Sequence, residues 1–263
     1  MQGDILEINT IKLLKIIKLS AQITLENGGE TYRAEETIKF ICKAFDVKEI
    51  EAIATPTGIY ITISVDGNEN NTIVKRIRKR TINLQKLNEV NNISRQISQH
   101  SITLDDALIQ LENTENNKDV KNKFSLFYGG ISSAFFTVLF GGGIFEFIIA
   151  LIIGILVTLV TRRFENLQSY QFFSSIVSGL VIAFIAIAAT SIAGMGNYKH
   201  VIVGVTMPLL PGLAMTNAIR DTIRGDLISG IARGAEALLV AASLAAGVGV
   251  IIYMAYSFGI LVA

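Results

Sequence analysis

The chain has 263 residues, is 51% hydrophobic, and carries a mean hydropathy of +0.49 and a formal net charge of +1. A balance this close to zero gives nucleic acid no electrostatic claim on the protein, and the single cysteine, Cys42, excludes an internal disulfide and a cysteine metal cluster. The averages conceal two compositions: 17 of 23 Lys+Arg and 17 of 22 Asp+Glu lie in residues 1–123, which leaves 11 charged residues for the last 140. That is the pattern of a water-soluble domain followed by a membrane domain.

The N-terminus carries acids and no apolar core ahead of a small-residue cleavage site, so it does not read as a signal peptide. Residues 5–25 repeat apolar side chains at helical spacing (Ile8, Ile11, Leu14, Leu19, Ile23) and predict an amphipathic helix. Asn27-Gly28-Gly29 ends it, because glycine accepts the left-handed geometry of a C-cap. Residues 31–45 predict a second amphipathic helix. The period then changes to two: residues 50–54, 59–65 and 72–80 read as strands, separated by Thr55-Pro56-Thr57-Gly58 and by Asp66-Gly67-Asn68. The third strand mixes charge into its alternation, as an edge strand does. Residues 83–99 return to helix, and Thr103-Leu-Asp-Asp106 is a capping-box-like start for a last helix ending near Glu115.

The expectation is an α+β cytoplasmic domain over residues 1–115, helices plus a small antiparallel sheet, joined by a polar linker (116–123) to an all-α polytopic membrane domain (124–263). Five apolar segments predict about five transmembrane helices: 124–140, 144–161, 170–193, 200–215 and 237–260, the last starting as early as Leu227. The fourth is short, since about 15 helical residues reach roughly 22 Å against a ~30 Å hydrocarbon core. Arg162, Arg163, Arg220 and Arg224 share one side if five spans alternate, and only Lys199 opposes them. The positive-inside rule then places the N-terminal domain in the cytoplasm and the C-terminus outside. Small residues in the third and fifth spans (Ser174, Ser178, Gly179, Ala241, Ala245, Gly247) allow close helix packing, either within one bundle or against a partner subunit.

Candidate chemistry concentrates in residues 203–236. An apolar run is broken by Pro208, Pro211 and Gly212, turns polar at Asn217, Arg220, Asp221, Arg224 and Asp226, and re-enters apolar sequence bearing Arg233 and Glu236. Lipid satisfies neither a broken backbone nor a charge, so such a segment requires burial in protein or a wet cavity. The prolines read either as an ordinary kink or as a break whose freed carbonyls and following helix N-terminus meet a carboxylate. Asn217 offers both donor and acceptor to an amino-acid head group. The charges read as a cytoplasmic loop or as a gate, with Asp221 able to pair with Arg224 three residues on. Arg233 and Glu236 read as an interfacial pair or as part of a proton path, and Glu146, just inside the second span, as a cap or a proton relay. His100 and His200 have no zinc-ligand spacing. With no Walker loop, GxGxxG or GxSxG motif, nothing suggests an ATPase, a dinucleotide enzyme or a serine hydrolase, and the sequence is read as a non-enzyme with no cofactor.

Three segments resemble the threonine/serine exporter family. They are Gly28-Gly-Glu-Thr-Tyr-Arg33-Ala-Glu-Glu36-Thr37, Thr55-Pro56-Thr57-Gly58 before a strand, and Pro208-Leu-Leu-Pro211-Gly212 with Thr216-Asn217, Arg220-Asp221, Gly225-Asp226, Gly230, Arg233 and Glu236. The resemblance spans most of the chain in matching order. It implies a cytoplasmic-domain signature at Glu30, Arg33, Glu36 and Thr37, which composition alone would leave as a solvated helix face. It further implies a multi-pass bacterial inner-membrane secondary exporter, proton-coupled, moving small carboxylate-bearing metabolites: threonine- or serine-like amino acids, or dicarboxylates such as succinate. Full-length members of the family carry a second membrane unit, so this chain resembles the larger half of a split exporter. Its partners would be lipid, a small-molecule substrate, a separate small membrane protein of four or five spans, and a further copy of itself in a homo-oligomer. The alternative reading is a membrane-anchored regulatory or binding module without transport activity. A membrane hydrolase is a weaker alternative, because no nucleophile–base pair is visible.

Overall fold

The computed structural model describes residues 2–47, 49–64, 70–117, 124–165 and 171–261. The expected turn at Asp66-Gly67-Asn68 and most of the expected linker, residues 118–123, lie outside the described residues. The chain divides into two compact units. The first comprises Met1–Asp119 with Leu213–Gly234, and the second Val120–Gly212 with Ala235–Ala263.

In the first unit, helix α1 (Gln2–Glu26) precedes α2 (Thr31–Lys43), strands β1 (Glu49–Thr55), β2 (Gly58–Ser64) and β3 (Asn70–Arg76), and helices α3 (Leu84–Ser98) and α4 (Leu104–Asn116). The sheet is antiparallel in the order β1-β2-β3, so β3 is an edge strand as its mixed charge predicts. Central β2 alternates, with Ile59, Ile61 and Ile63 fully buried and Tyr60 exposed. Thr55-Pro56-Thr57-Gly58 is a two-residue hairpin connection. Thr55 Oγ1 accepts from the Thr57 amide (3.3 Å) and donates to the Gly58 carbonyl (3.1 Å). β3 stops at Arg76 rather than Arg80 because Arg76 already opposes Gly58, the first residue of β2. Beyond it the chain turns to the end of α1, where the Thr81 and Asn83 amides donate to the Glu26 and Asn27 carbonyls.

Ile16, Ile17, Ile23 and Leu25 of α1 pack with Ile38 and Ile41 of α2, the β2 isoleucines, Ile97 of α3 and Leu111 of α4. Cys42 lies in this core, and burial pushes its thiol up to about 12. Asn83 and Thr103 cap α3 and α4 through the Lys86 and Asp106 amides. The Thr103 hydroxyl also donates to the Asp106 carboxylate at 2.7 Å, a side-chain bond in place of the backbone bond that completes a full capping box.

The second unit contains α5 (Ser125–Leu139), α6 (Ile144–Glu165), α7 (Gln171–Ala193), α8 (Tyr198–Thr206), a 3-10 turn (Met207–Leu209) and most of α10 (Leu227–Ser257). Among the described residues, α6, α7 and α10 are long and apolar enough to cross a membrane. A fourth span exists if α8 with its 3-10 turn and α9 (Gly212–Ile223) form one broken span. Helix α5 has 15 residues and reaches only about 22 Å. Helix length alone therefore supports three or four spans rather than about five. The break falls at Leu210, whose ψ of 138° is extended. Pro211 forces this, because its ring clashes with a helical residue before it.

Close helix approach in this unit runs through glycine. A Cβ on Gly179 of α7 would run into the Leu244 carbonyl of α10, and one on Gly247 into the Ile176 carbonyl. The small residues of α7 and α10 thus serve internal packing at this point. Gly179→Val should force the two helices apart, and the purified protein should lose several degrees of thermal midpoint in detergent. Val240→Ala, a small deletion on α10, should cost less in the same melt.

Candidate functional site

The site is built in the first unit, where two stretches nearly 190 residues apart in sequence converge. The first is the loop between α1 and α2. Gly28 takes φ +90°, and the Gly29 amide returns to the Thr24 carbonyl at 2.9 Å, so the helix ends in a left-handed cap. A Cβ on Gly29 would meet Thr24, so the backbone there lies against α1 with no room for a side chain. This leaves the Gly28 and Gly29 carbonyls outside the ladder of α1. Glu30 precedes α2 with an extended backbone and makes no side-chain cap bond, so its carboxylate faces other partners.

The second stretch is the α9–α10 hairpin. Gly225 turns it at φ +93°, and the Asp226 amide closes on the Asp221 carbonyl at 2.9 Å. Gly230 lets α10 approach α9, since a Cβ there would meet Thr222 and the Ala218 carbonyl. Asn217 and Asp221 are four apart on one face of α9, and Arg220 lies on the next, four residues before Arg224 in the turn that follows the helix. Arg233 follows Gly230 by three residues and so shares the face of α10 turned toward α9.

Arg233 Nη2 donates to the Gly29 carbonyl at 2.9 Å, and its Nε lies 3.3 Å from Asp221 Oδ2. Asn217 Nδ2 donates to the Gly28 carbonyl at 2.9 Å. Arg220 Nη1 meets Glu30 Oε1 at 2.5 Å, while Arg33 Nε stands 3.7 Å from the other oxygen of Glu30. Thr31 Oγ1 donates to Asp226 at 3.3 Å. Arg224 lies 3.7 Å from Glu36 and stacks over the Tyr32 ring, 4.3 Å from its centroid. The inner members are enclosed: Asp221 has no exposed surface, and Glu30, Arg233 and Asn217 are 5%, 6% and 8% exposed. The outer pair is open, with Arg224 and Glu36 side chains 56% and 63% exposed. A buried charge keeps its ionisation only with a counter-charge beside it. The inner pairs therefore fix the geometry, and the outer one contributes little.

Glu35 adds a carboxylate that sequence reasoning passed over. Its Oε1 accepts from the Ala54 amide at 2.7 Å, which ties α2 to β1. Burial pushes its pKa up, the Ala54 amide pulls it down, and the nearby carboxylates of Asp226 and Asp221 raise it further.

The remaining expected residues are found in the second unit. Glu146, in the first turn of α6, is buried and accepts from the Gly143 and Asn197 amides at 2.9 Å each. Both carboxylate oxygens are thus engaged by backbone. Pro208 sits in the 3-10 turn, Pro211 makes the break, Gly212 starts α9, and Glu236 is half-buried on α10. Among the described residues no three His, Cys, Asp or Glu side chains gather within metal-ligating reach.

The model of a family described as "Putative threonine/serine exporter" matches residues 15–255. The chain belongs to the threonine/serine exporter family. It is 21% identical over 248 residues to a protein of Mycobacterium tuberculosis named "Probable threonine/serine exporter", a match covering 94% of this chain and 47% of that protein. It is 25% identical over 274 residues to a Klebsiella aerogenes protein named "Probable succinate transporter subunit YjjP", covering 97% and 96%. The chain thus spans about half the length of its mycobacterial relative and nearly all of the Klebsiella one. No solved structure matches it. Family membership and the apolar helices fit a multi-pass membrane protein.

Of the residues singled out in sequence, this exporter-family chain brings together Glu30, Arg33, Glu36, Asn217, Arg220, Asp221, Arg224, Asp226 and Arg233. Asp221 faces Arg233 instead of Arg224, and Arg224 turns to Glu36 and Tyr32. Thr37 only bonds back to the Arg33 carbonyl on its own helix. The Gly28 and Gly29 carbonyls, Thr31 and Tyr32 were missed as partners, although all fall inside the Gly28–Thr37 motif. A carbonyl has no sequence signal of its own; the two glycines ahead of an acid were the available hint.

Arg233→Ala should strand Asp221 and lower stability by about 3–5 kcal/mol, read as the denaturation midpoint in detergent. Pairing Arg233→Met with Asp221→Asn should recover most of that loss, whereas Arg224→Ala should cost less than about 1 kcal/mol. Because the Glu35 pKa is raised on folding, its contribution is full below the ordinary carboxylate range and lost as pH rises through the raised value. Glu35→Gln keeps the acceptor for Ala54 but cannot titrate. The thermal midpoint of the unaltered protein should therefore fall relative to Glu35→Gln as pH is raised from about 4 to about 7.

Proposed function

We propose that the chain is one subunit of a secondary exporter that moves small carboxylate-bearing metabolites, threonine- or serine-like amino acids or dicarboxylates such as succinate, out of the cytoplasm. The observation that carries this reading is the enclosed Asn217–Asp221–Arg233 cluster, held on the Gly28–Glu30 loop directly after a proline-broken apolar helix. A membrane anchor requires neither buried charge nor a broken helix. An exporter uses both, since a charge pair can close in one state and open in another, and a released arginine attracts a carboxylate.

In this reading residues 1–115 form the cytoplasmic domain, 116–123 the linker and 124–263 the membrane domain, with α5 and the broken segment completing about five spans. Arg162, Arg163, Arg220 and Arg224 mark the cytoplasmic side. Glu236 or Glu146 carries the proton that couples export to the gradient. The length of the mycobacterial relative and the word "subunit" in the name of the Klebsiella relative support a separate membrane partner supplying the other half.

Cells producing this chain with its partner should release preloaded labelled threonine, serine or succinate faster than cells lacking either, and a protonophore should abolish the difference. Asn217→Ala should cut that flux at least tenfold while leaving membrane abundance unchanged, which distinguishes a gate from a fold support. No flux for any of the three substrates would overturn the exporter reading, and flux indifferent to the protonophore would overturn the coupling.

A further inference from the structure

Helices α2 and α3 of the first unit line a groove of about 790 Å³ that borders the candidate site and shares Gly29, Arg33 and Glu36 with it. Its charge is one-sided. Arg33, Lys39, Lys43 and Arg95 line it, against the single carboxylate of Glu36, which already faces Arg224. Among the described residues no ion pair engages Lys39, Lys43 or Arg95. Arg33 has Glu30 3.7 Å away, so the excess charge rests on Lys39, Lys43 and Arg95; cations in excess of counter-charges repel one another and raise the local concentration of anions.

The groove also has a floor. Phe40, 45% exposed, and Leu87 give it an apolar middle, and the amides of Asn88 and Asn91 stand on the α3 wall. Helical spacing explains the arrangement: Arg33, Glu36, Phe40 and Lys43 follow one face of α2, and Leu87, Asn88, Asn91 and Arg95 one face of α3. Arg33 and Lys43 are ten residues apart on α2, so cationic ends stand about 15 Å apart with the apolar stretch between them. The volume falls in the range of small-molecule sites, and a concave apolar surface with a few placed polar groups is their usual form.

We propose that this groove is a binding site for an elongated organic polyanion, phosphate- or carboxylate-bearing, whose apolar body lies on Phe40 and Leu87 while its anionic groups reach Arg33 at one end and Lys43 with Arg95 at the other. Succinate is too short to span those ends, so the site selects a different class of molecule from the proposed cargo. The inference does not depend on the exporter reading.

The test is titration of the full-length protein in detergent, by calorimetry, with three probes: ATP as a phosphate-bearing polyanion with a flat body, sebacate as a long apolar dicarboxylate, and succinate as the short control. ATP or sebacate should bind at least about tenfold more tightly than succinate, and the two arms separate the phosphate source from the carboxylate source. Lys43→Glu with Arg95→Glu should weaken binding at least about tenfold. Lys79→Glu, an exposed change of the same charge type outside the groove, should leave it within a factor of about two. A thermal melt of each variant checks that it is folded. Absence of binding by both long probes, equal binding by succinate, or binding indifferent to the double substitution in a folded protein would each overturn the proposal.

Discussion

The first unit depends on one buried ion pair. Asp221 and Arg233 sit on facing helices of the α9–α10 hairpin, and neither has water to solvate it. Taking a carboxylate and a guanidinium out of water costs several kcal/mol each, and the attraction between them offsets this only if further groups satisfy the remaining donors. Arg233 adds one such bond by spending another nitrogen on the Gly29 carbonyl. The pair that closes the hairpin is therefore also the contact that commits the hairpin to the N-terminal fold. This explains why residues 213–234 belong to the same compact unit as residues 1–119 despite the intervening chain.

Backbone geometry makes that arrangement possible. The carbonyls of Gly28 and Gly29 are available because a left-handed glycine ends α1 early and turns the next peptides away from the helix ladder. Gly230 lets the two helices of the hairpin approach, and Gly225 lets the chain reverse between them. Upstream, Pro211 prevents α8 from continuing into α9 as one straight helix. Glycines and prolines that look scattered in the sequence thus have one common effect: they bring a polar segment out of an apolar run and against partners that can satisfy it.

The same motif serves two surfaces. On one side Glu30, Thr31, Tyr32 and Glu36 face the arginines and the aspartate of the hairpin; on the other, Arg33 and Glu36 belong to the groove shared with α3. A helix with charges at Arg33, Glu35, Glu36 and Lys39 does not need to choose one face, since successive side chains are about 100° apart. A cluster of this kind is not a solvated surface by default. Glu30 in particular is nearly fully enclosed.

What the sequence determined by itself is considerable. Charge segregation divided the sequence into a charged N-terminal part and a largely apolar remainder, period-two and helical spacing placed each described strand and helix up to Asn116 within a few residues, and Pro208, Pro211 and Gly212 announced the break. These are local properties, set by side chains and φ/ψ restrictions within one turn or one pleat. The family motifs contain most of the residues that this cluster brings together. The partners were not legible. Asp221 lies three residues from Arg224, and a helix makes that pair reasonable; only the fold brings Arg233 across the hairpin and hands Arg224 to Glu36 and Tyr32. The Gly28 and Gly29 carbonyls, the bond from Glu35 to Ala54, and the groove between α2 and α3 are decided by tertiary packing, because each needs two segments whose meeting no periodicity encodes.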